Sequence, residues 1–243
     1  YESDKIYASG CIVNNEISHA SNYRSEKNFD IWLKQNKKVC VTGIDTRVLT
    51  KKIRNSGAKN VLIHFPENQK FDSLEKLKSK LIKFPKMKNL DLASKVSTPK
   101  VYKWEKGKKI HTKNFKKKFI AVLDFGIKRN ILNILESFDR EVIVFPINFS
   151  LKEIMELKPS GIFLSNGPGD PLATYNKHKH NLKLIENFSN PVFGICLGHQ
   201  ILSLIFNAKT EKMHHGHRGA NHPIKNLKTK KVEITVQNHG FVV

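Results

Sequence analysis

From residue 119 onward, short apolar segments alternate with amphipathic segments of helical spacing. Apolar residues at strand length followed by residues three or four apart predict alternating strands and helices. Such alternation is typical of a parallel sheet with helices on both faces. The fold class predicted for residues 119–243 is therefore α/β, and functional groups are expected beyond the carboxyl ends of the strands.

The predicted strands of this region cover residues 119–124, 141–145, 161–165 and 192–196. The predicted helices cover residues 127–138, 151–157, 180–188 and 197–207. Residues 1–101 carry a smaller α/β pattern, with strands over 38–42 and 58–65 and helices over 29–35, 46–54 and beyond Asp72-Ser73. The lysine-rich residues 102–118 are interpreted as a solvated linker between these two domains.

The strand predicted over 192–196 ends in Cys196, with Gly194 and Gly198 two residues to either side. A sharp turn from strand to helix strains its middle residue, and flanking glycines relieve the crowding, as in a nucleophile elbow. A thiol at the helix N-terminus is near positive partial charge and free N–H groups. Cys196 is therefore a candidate nucleophile. The alternative is a buried cysteine in a glycine-flanked turn.

A second glycine-rich loop, residues 165–171, follows the strand before the elbow strand. It lacks the Gly-Lys-Ser/Thr of a phosphate-binding loop. Its functional interpretation is a second oxyanion donor beside Cys196, and its alternative is a tight turn. Asp124, at the end of the first strand, is expected at the same edge of the sheet.

Composition and charge argue against several classes of function. The 43 Lys and Arg against 21 Asp and Glu invite a nucleic-acid interpretation. We disfavour that interpretation because lysine is spread over most helix faces and no nucleic-acid-binding signature accompanies it. No apolar run is long enough to span a bilayer. Cys11 and Cys40 lack a paired spacing with Cys196, so we expect core positions for them, reduced thiols and a cytoplasmic location.

Histidines are frequent near the end of the sequence, but no carboxylate or cysteine completes a familiar metal-site spacing, so no metal is expected. The residues around them predict a mobile or close-packed loop. His199 is interpreted as structural. His239 follows an alternating strand and is the local candidate for a general base. The histidines of this region are His214, His215, His217, His222 and His239.

Two motifs together carry a family resemblance. Residues 165–171 (Ser-Asn-Gly-Pro-Gly-Asp-Pro) and 194–200 (Gly-Ile-Cys-Leu-Gly-His-Gln) resemble those of class I glutamine amidotransferases. Residues 44–47, 90–93, 123–131, 216–223 and 237–241 are similar to the glutaminase (small) subunits of carbamoyl-phosphate synthases. The resemblance implies a class I amidotransferase domain preceded by part of the smaller N-terminal domain of those subunits.

What the resemblance implies can be placed on this sequence. Cys196 would form a glutamyl thioester, and the N–H groups of Leu197 and Gly169 would bind the oxyanion. His239 would then belong to the substrate side and would not be the base. The residues implied to contact glutamine are Gly167, Gly169, Leu197, Gln200, Asn238, Gly240 and Phe241.

The implied partners are L-glutamine and a large synthase subunit in a heterodimer, where ammonia, bicarbonate and ATP give carbamoyl phosphate for arginine and pyrimidine synthesis. ATP and Mg²⁺ are expected on that large subunit, and no cofactor is expected on this chain. The family's catalytic base is a histidine in a His-x-Glu pair, and the printed sequence contains no such pair. We therefore expect a fragment that lacks both ends and does not turn over glutamine by itself.

Other functions remain open on the residues alone. The chain is alternatively a non-catalytic partner or regulatory subunit that retains the amidotransferase fold. A third possibility is a hydrolase that uses the same elbow on another substrate. Labelling of Cys196 by a glutamine-mimicking electrophile is expected for the enzyme and not for a non-catalytic subunit. A comparison of esters with glutamine as substrates separates the amidotransferase from a hydrolase of another substrate.

Overall fold

The computed structural model describes residues 2, 5–111 and 118–243, and their contacts divide them into two units. The first runs to Pro85, and the second comprises Glu2 with Lys86–Val243. The sequence predicts a domain boundary at residue 101. In the structure, residues 86–101 belong to the second unit.

Capping residues begin the three helices of the first unit. Asn28 accepts hydrogen bonds from the N–H groups of Asp30 and Ile31, and Asp45 accepts one from Val48 at 2.9 Å. Ser73 begins the third helix in the same way. These side chains satisfy N–H groups that have no partner within a helix. The elements are β1 (Gly10–Ile12), α1 (Phe29–Gln35), β2 (Val39–Val41), α2 (Thr46–Ser56) and α3 (Leu74–Lys83).

The two strands of this unit, β1 and β2, pair in parallel, with Cys11 opposite Cys40. Both cysteines are half-buried rather than in a core. The strand predicted over residues 58–65 is wrong, because no strand is formed there. Val61 and Phe65 are more than half exposed, so this apolar run lacks the burial that would hold a strand in a sheet.

The second unit contains the alternating pattern. Its first elements are α4 (Ala93–Val96), β3 (Tyr102–Glu105), β4 (Lys108–Ile110), β5 (Phe119–Asp124), α5 (Arg129–Glu136), β6 (Glu141–Pro146) and α6 (Leu151–Glu156). They are followed by β7 (Gly161–Leu164), α7 (Pro171–Leu182), a 3-10 turn (Lys183–Asn187), β8 (Val192–Gly194), α8 (Leu197–Ile205), β9 (Glu211–Lys225) and β10 (Val232–Val242).

Six strands form the central sheet in the order β4-β3-β6-β5-β7-β8. The strands β6, β5, β7 and β8 are parallel, as predicted, and β3 and β4 add an antiparallel edge. Successive side chains of β5 point to opposite faces of the sheet, and Leu123 packs in one apolar cluster while Val122 packs in the other. The first cluster includes Leu151 of α6 and Ile201 of α8, and the second includes Leu132 of α5. Both faces are therefore covered, which confirms the α/β prediction.

The linker predicted over residues 102–118 is wrong for its first part. Tyr102 and Trp104 of β3 are buried, with 2% of each exposed, and the Trp104 indole N–H donates to Asn133 of α5 at 2.9 Å. Lys103, between them, forms ion pairs with Glu105 and Glu141. Aromatic residues alternating with charged ones make a strand here that pairs with β4 on one side and β6 on the other. Residues 112–117 of the predicted linker lie outside the described residues.

Two further predictions are corrected. The helix expected from residue 180 begins at Pro171, because Asp170 caps it through the N–H of Leu172 and proline is suited to the first helical turn. The histidine-rich residues expected in a loop form β9, which pairs with β10 in an antiparallel ribbon. In that ribbon β10 continues to Val242, beyond the alternating segment that predicted it.

Candidate active site

The carboxyl ends of β5, β7 and β8 lie side by side, and the loops that follow them build the site. Asp124, at the end of β5, is buried and accepts hydrogen bonds from three backbone N–H groups, those of Thr98, Gly126 and Ile127, at 2.7, 2.8 and 2.9 Å. Its oxygens thus hold the turn after β5 and the segment before β3. Asp124 lies where the sequence placed it, in a structural role.

The loop after β7 is fastened to the turn after β5. The Ser165 hydroxyl accepts from the N–H of Phe125 at 2.8 Å, and the Asn166 amide donates to the carbonyl of Gly126 at 3.2 Å. A Cβ on Gly167 would lie 2.1 Å from the Phe125 carbonyl oxygen and 2.9 Å from a methyl carbon of Leu197. Glycine is therefore required at 167, where this loop packs against both the turn after β5 and the first residue of α8.

The same loop is covered from its other side by residues 89–92. Gly169 has a φ of +103°, and a Cβ there would lie 2.8 Å from the Leu90 carbonyl oxygen. The Asp170 carboxylate accepts from the N–H of Asn89 at 2.8 Å, and the Asp170 N–H donates to Leu90 O at 2.8 Å. The loop is held between this segment and the β5 turn, so its backbone is preorganised.

Cys196 stands at the turn between β8 and α8 with φ +51° and ψ −108°, a conformation that L-residues rarely adopt. A Cβ on Gly194 would lie 2.6 Å from backbone atoms of Gly198 and His199, and one on Gly198 would lie 2.0 Å from the Leu164 carbonyl oxygen. The strain at the cysteine and the need for glycine on both sides are those of a nucleophile elbow.

The thiol of Cys196 is half-buried, and its sulfur lies 3.9 Å from the Asn238 carbonyl oxygen. Burial raises the pKa of this thiol, and the N–H of Leu197 and the positive charge of Arg218 oppose that increase. The N–H at the start of α8 therefore already interacts favourably with a negative charge at this position.

The β9–β10 ribbon contributes residues around the thiol, but its His239 is bonded elsewhere. The His239 Nδ1 bonds the Phe241 carbonyl oxygen at 2.8 Å, and its Nε2 lies 2.9 Å from the Gln237 side-chain oxygen. The Nδ1 of His217 lies 3.1 Å from both the Gln237 side-chain oxygen and the His239 Nε2. The contacts of His239 thus lie within the ribbon, and the structure does not bring it to Cys196 as a hydrogen-bonding partner.

The remaining predicted residues fall into contacting pairs. The buried Gln200 side chain donates from Nε2 to the Phe241 carbonyl oxygen at 2.7 Å, so it holds β10 against α8. Leu197 contacts the position of Gly167, and Gly240 lies beside the Arg218 guanidinium. These residues belong to the loops and the ribbon around Cys196, and their contact with glutamine stays a prediction.

Two contributors were missed by the sequence analysis. Residues 89–92 were assigned to the first domain, yet they cover the loop at Gly169. Arg218 was not singled out, although its charge acts on the Cys196 thiol and its side chain bonds Asn238 at 2.8 Å. The available signal was the choice of arginine in a chain whose positive charge is mostly lysine.

Among the residues that the structure describes, no group of three or more His, Cys, Asp or Glu side chains is arranged to hold a metal ion. The helices within the described ranges are all too short or too polar to cross a membrane.

Comparison with known proteins identifies the family. Residues 121–243 match the family model described as "Glutamine amidotransferase class-I". This chain belongs to the class-I glutamine amidotransferase family. Residues 1–63 match the model described as "Carbamoyl-phosphate synthase small chain, CPSase domain". The resemblance carried by residues 165–171 and 194–200 is therefore confirmed.

Curated relatives of this amidotransferase agree with both matches. The chain is 43% identical over 242 residues to the carbamoyl phosphate synthase small chain of Bartonella henselae, which covers 97% of this chain and 60% of the relative. It is 42% identical over 249 residues to the small chain of Zymomonas mobilis subsp. mobilis, covering 100% of this chain and 66% of the relative. The chain spans about 60% of the length of the curated relatives it matches.

Proposed function

We propose that this chain is the glutamine-hydrolysing part of a carbamoyl-phosphate synthase, with Cys196 as its nucleophile. The observation that carries the proposal is the strained φ of Cys196 at the start of α8, between two glycines that have no room for a side chain. Relatives named as carbamoyl phosphate synthase small chains support the assignment to that synthase, and the match to the class-I glutamine amidotransferase model supports glutamine as the substrate.

In the proposed reaction, the Cys196 thiolate attacks the side-chain amide carbon of glutamine and forms a tetrahedral oxyanion. The N–H groups of Leu197 and Gly169 stabilise that oxyanion. Collapse of the intermediate breaks the C–N bond, releases ammonia and leaves a glutamyl thioester. Water then attacks the thioester, so that glutamate leaves and the thiol is restored.

Binding of glutamine is proposed at the residues that the motif match supplies. The fastening of the 165–171 loop to the β5 turn supports a rigid wall at Gly167 and Gly169. The bond from Gln200 to Phe241 supports a fixed position for the end of β10. The full proposed set is Gly167, Gly169, Leu197, Gln200, Asn238, Gly240 and Phe241.

Ammonia released at Cys196 is proposed to pass to a large synthase subunit. There it would combine with bicarbonate and with phosphate from ATP to give carbamoyl phosphate, the precursor of arginine and pyrimidines. ATP and Mg²⁺ would bind the large subunit, and this chain would carry no cofactor. The proton carrier of the proposed reaction is a His-x-Glu pair, which these 243 residues do not contain.

Labelling with 6-diazo-5-oxo-L-norleucine, a glutamine analogue that alkylates nucleophilic thiols, tests the proposal on the 243-residue chain. We expect the label at Cys196, protection by L-glutamine and no label at Cys11 or Cys40, which serve as internal controls. The C196A variant should remain unlabelled. Equal labelling of all three cysteines, or none at Cys196, would instead support a non-catalytic partner.

A second measurement tests the proton carrier. We expect no useful glutaminase turnover from the 243-residue chain, because no described side chain bonds the thiol as a base and His239 is bonded to Phe241. Steady glutamate release that requires Cys196 would contradict this expectation and would assign the proton transfer to a group within these residues.

A further inference from the structure

We propose that Arg218 is a positioning residue of the thiol site: its guanidinium holds Asn238 against Cys196 and keeps a positive charge beside the sulfur. This inference rests on the role of Cys196 proposed above. The glutamine contacts carried over from the family motifs do not include Arg218.

The ribbon places Arg218 opposite the residue it holds. Arg218 of β9 and Asn238 of β10 are paired in register, and the arginine Nη1 donates to the Asn238 side-chain oxygen at 2.8 Å. An arginine has donors only, so the asparagine must present its oxygen to it. The amide nitrogen of Asn238 is thereby directed away from Arg218 and is available as a donor to an acceptor on a ligand.

The missing side chain at Gly240, beside an irregularity in the ribbon, leaves room for the Arg218 guanidinium. The register shifts between His239 and Phe241, opposite Gly216, whose φ is +78°. A Cβ on Gly240 would lie 3.3 Å from the Arg218 Nη2, closer than most such contacts. Such bulges re-aim side chains near functional sites. Here the shift lies between Asn238, whose carbonyl faces the thiol, and Phe241, whose carbonyl accepts from Gln200.

The charge of Arg218 is the second part of the argument. Burial raises the pKa of the Cys196 thiol, while the Leu197 N–H and Arg218 lower it. On the ribbon, the imidazoles of His217 and His239 bond Gln237 and the Phe241 carbonyl. Arg218 is therefore the side-chain cation whose charge lowers the pKa of this thiol, and it is linked to the sulfur through Asn238. Because Arg218 is exposed, solvent screens its effect, which is expected to be modest.

The rate of alkylation of Cys196 as a function of pH measures this charge directly. It is followed by mass spectrometry of the peptide containing Cys196, with neutral iodoacetamide and with anionic iodoacetate. We expect R218Q to slow alkylation at pH 7 by about two- to fivefold, with a larger effect on iodoacetate. The pH midpoint should rise in R218Q and stay closer to that of the wild type in R218K, which retains the charge.

R140Q is the matched control, since it removes one exposed arginine from the turn before β6, at the amino ends of the parallel strands, whereas Cys196 follows a carboxyl end. Equal rates in R218Q and wild type, or equal slowing in R140Q, would overturn the proposal. If R218Q does not fold, the salt dependence of the wild type decides: added salt should slow alkylation of Cys196 more than that of Cys11 and Cys40, which share the net charge of +22, and an equal salt effect on the three would refute the proposal.

The alkylation assay requires no glutamine. A chain that fails to bind or hydrolyse glutamine can therefore still show the effect of Arg218, and a chain that is labelled by the glutamine analogue can fail to show it. The two proposals are thus tested separately.

Discussion

Gly198 packs so closely against Leu164 that a Cβ on the glycine would lie 2.0 Å from the leucine carbonyl oxygen and 2.5 Å from its carbonyl carbon. Both atoms belong to the backbone of β7, which is buried in the sheet, so they have little freedom to move. The first turn of α8, and with it the thiol of Cys196, is thereby set directly against the end of a central strand.

The G198A variant should therefore lower the free energy of unfolding by about 1–3 kcal/mol, since an overpacked backbone contact must be relieved by moving α8. Chemical denaturation measures this loss. The matched control is G219A, where a Cβ would meet only the side chains of Asn221 and His222 at 3.2 and 3.3 Å. Equal stability of the two variants would contradict the close packing at Gly198.

The strained φ of Cys196 predicts that removing the Cβ at this position increases stability. The free energy of unfolding of C196G should exceed that of C196A by about 1 kcal/mol, because glycine adopts positive φ without steric cost while alanine retains the Cβ. Denaturant unfolding of the two variants measures the difference. Neither variant has a thiol, so their comparison isolates the backbone strain. If C196A is the more stable of the two, the elbow is not strained at this residue.

Gln200 is expected to stabilise the end of β10. The Q200A variant should lose about 1–3 kcal/mol, because the carbonyl oxygen of the buried Phe241 would lose the donor at 2.7 Å. Thermal or urea unfolding measures the change. S203A, on the same helix, removes a bond to the His199 carbonyl at an exposed site and should change stability far less. A Q200A protein as stable as S203A would argue against this contact.

Asp91 provides a prediction with a defined pH dependence. Burial raises the pKa of Asp91, but Lys177 and hydrogen bonds from Ser94 and Thr174 outweigh it and hold the pKa at about 2. The unfolded value is about 3.9. The stabilisation is therefore present above pH 4 and is lost as pH falls towards 2, by at most about 2 kcal/mol.

The D91N variant should be less stable than the wild type at pH 6, and the difference should shrink as pH falls to 3. Urea unfolding at several pH values checks this. The exposed E156Q, a matched exchange of carboxylate for amide, should show no such convergence. A difference between D91N and wild type that is constant from pH 6 to pH 3 would contradict the assignment.

The elements that the sequence predicted correctly have local signals. The apolar run of β5, the glycine pair around Cys196 and the Asp45 cap each determine their own structure from neighbouring residues. The run at residues 58–65 failed because a strand also needs a partner and a buried face, which no local signal supplies. At Tyr102 and Trp104 the density of lysine concealed an alternation of period two.

The contacts around the thiol were less predictable, since they join residues far apart in sequence. Asn89 and Asp170, or Gln200 and Phe241, are brought together only by the packing of separate elements. The family motifs indicated several of these residues as site residues but did not predict the hydrogen bonds between them. Arg218 was missed because its meaning depends on the pairing of β9 with β10.

The segment at Leu90, which packs on Gly169, bears on how this architecture can be exchanged between proteins. It lies before residue 121, where the match to the amidotransferase family begins, yet it supports a loop within that match. A chimaera joined at residue 119 would therefore contain the strained turn at Cys196 without the segment that packs on Gly169, whereas a junction at Pro85 would transfer both together.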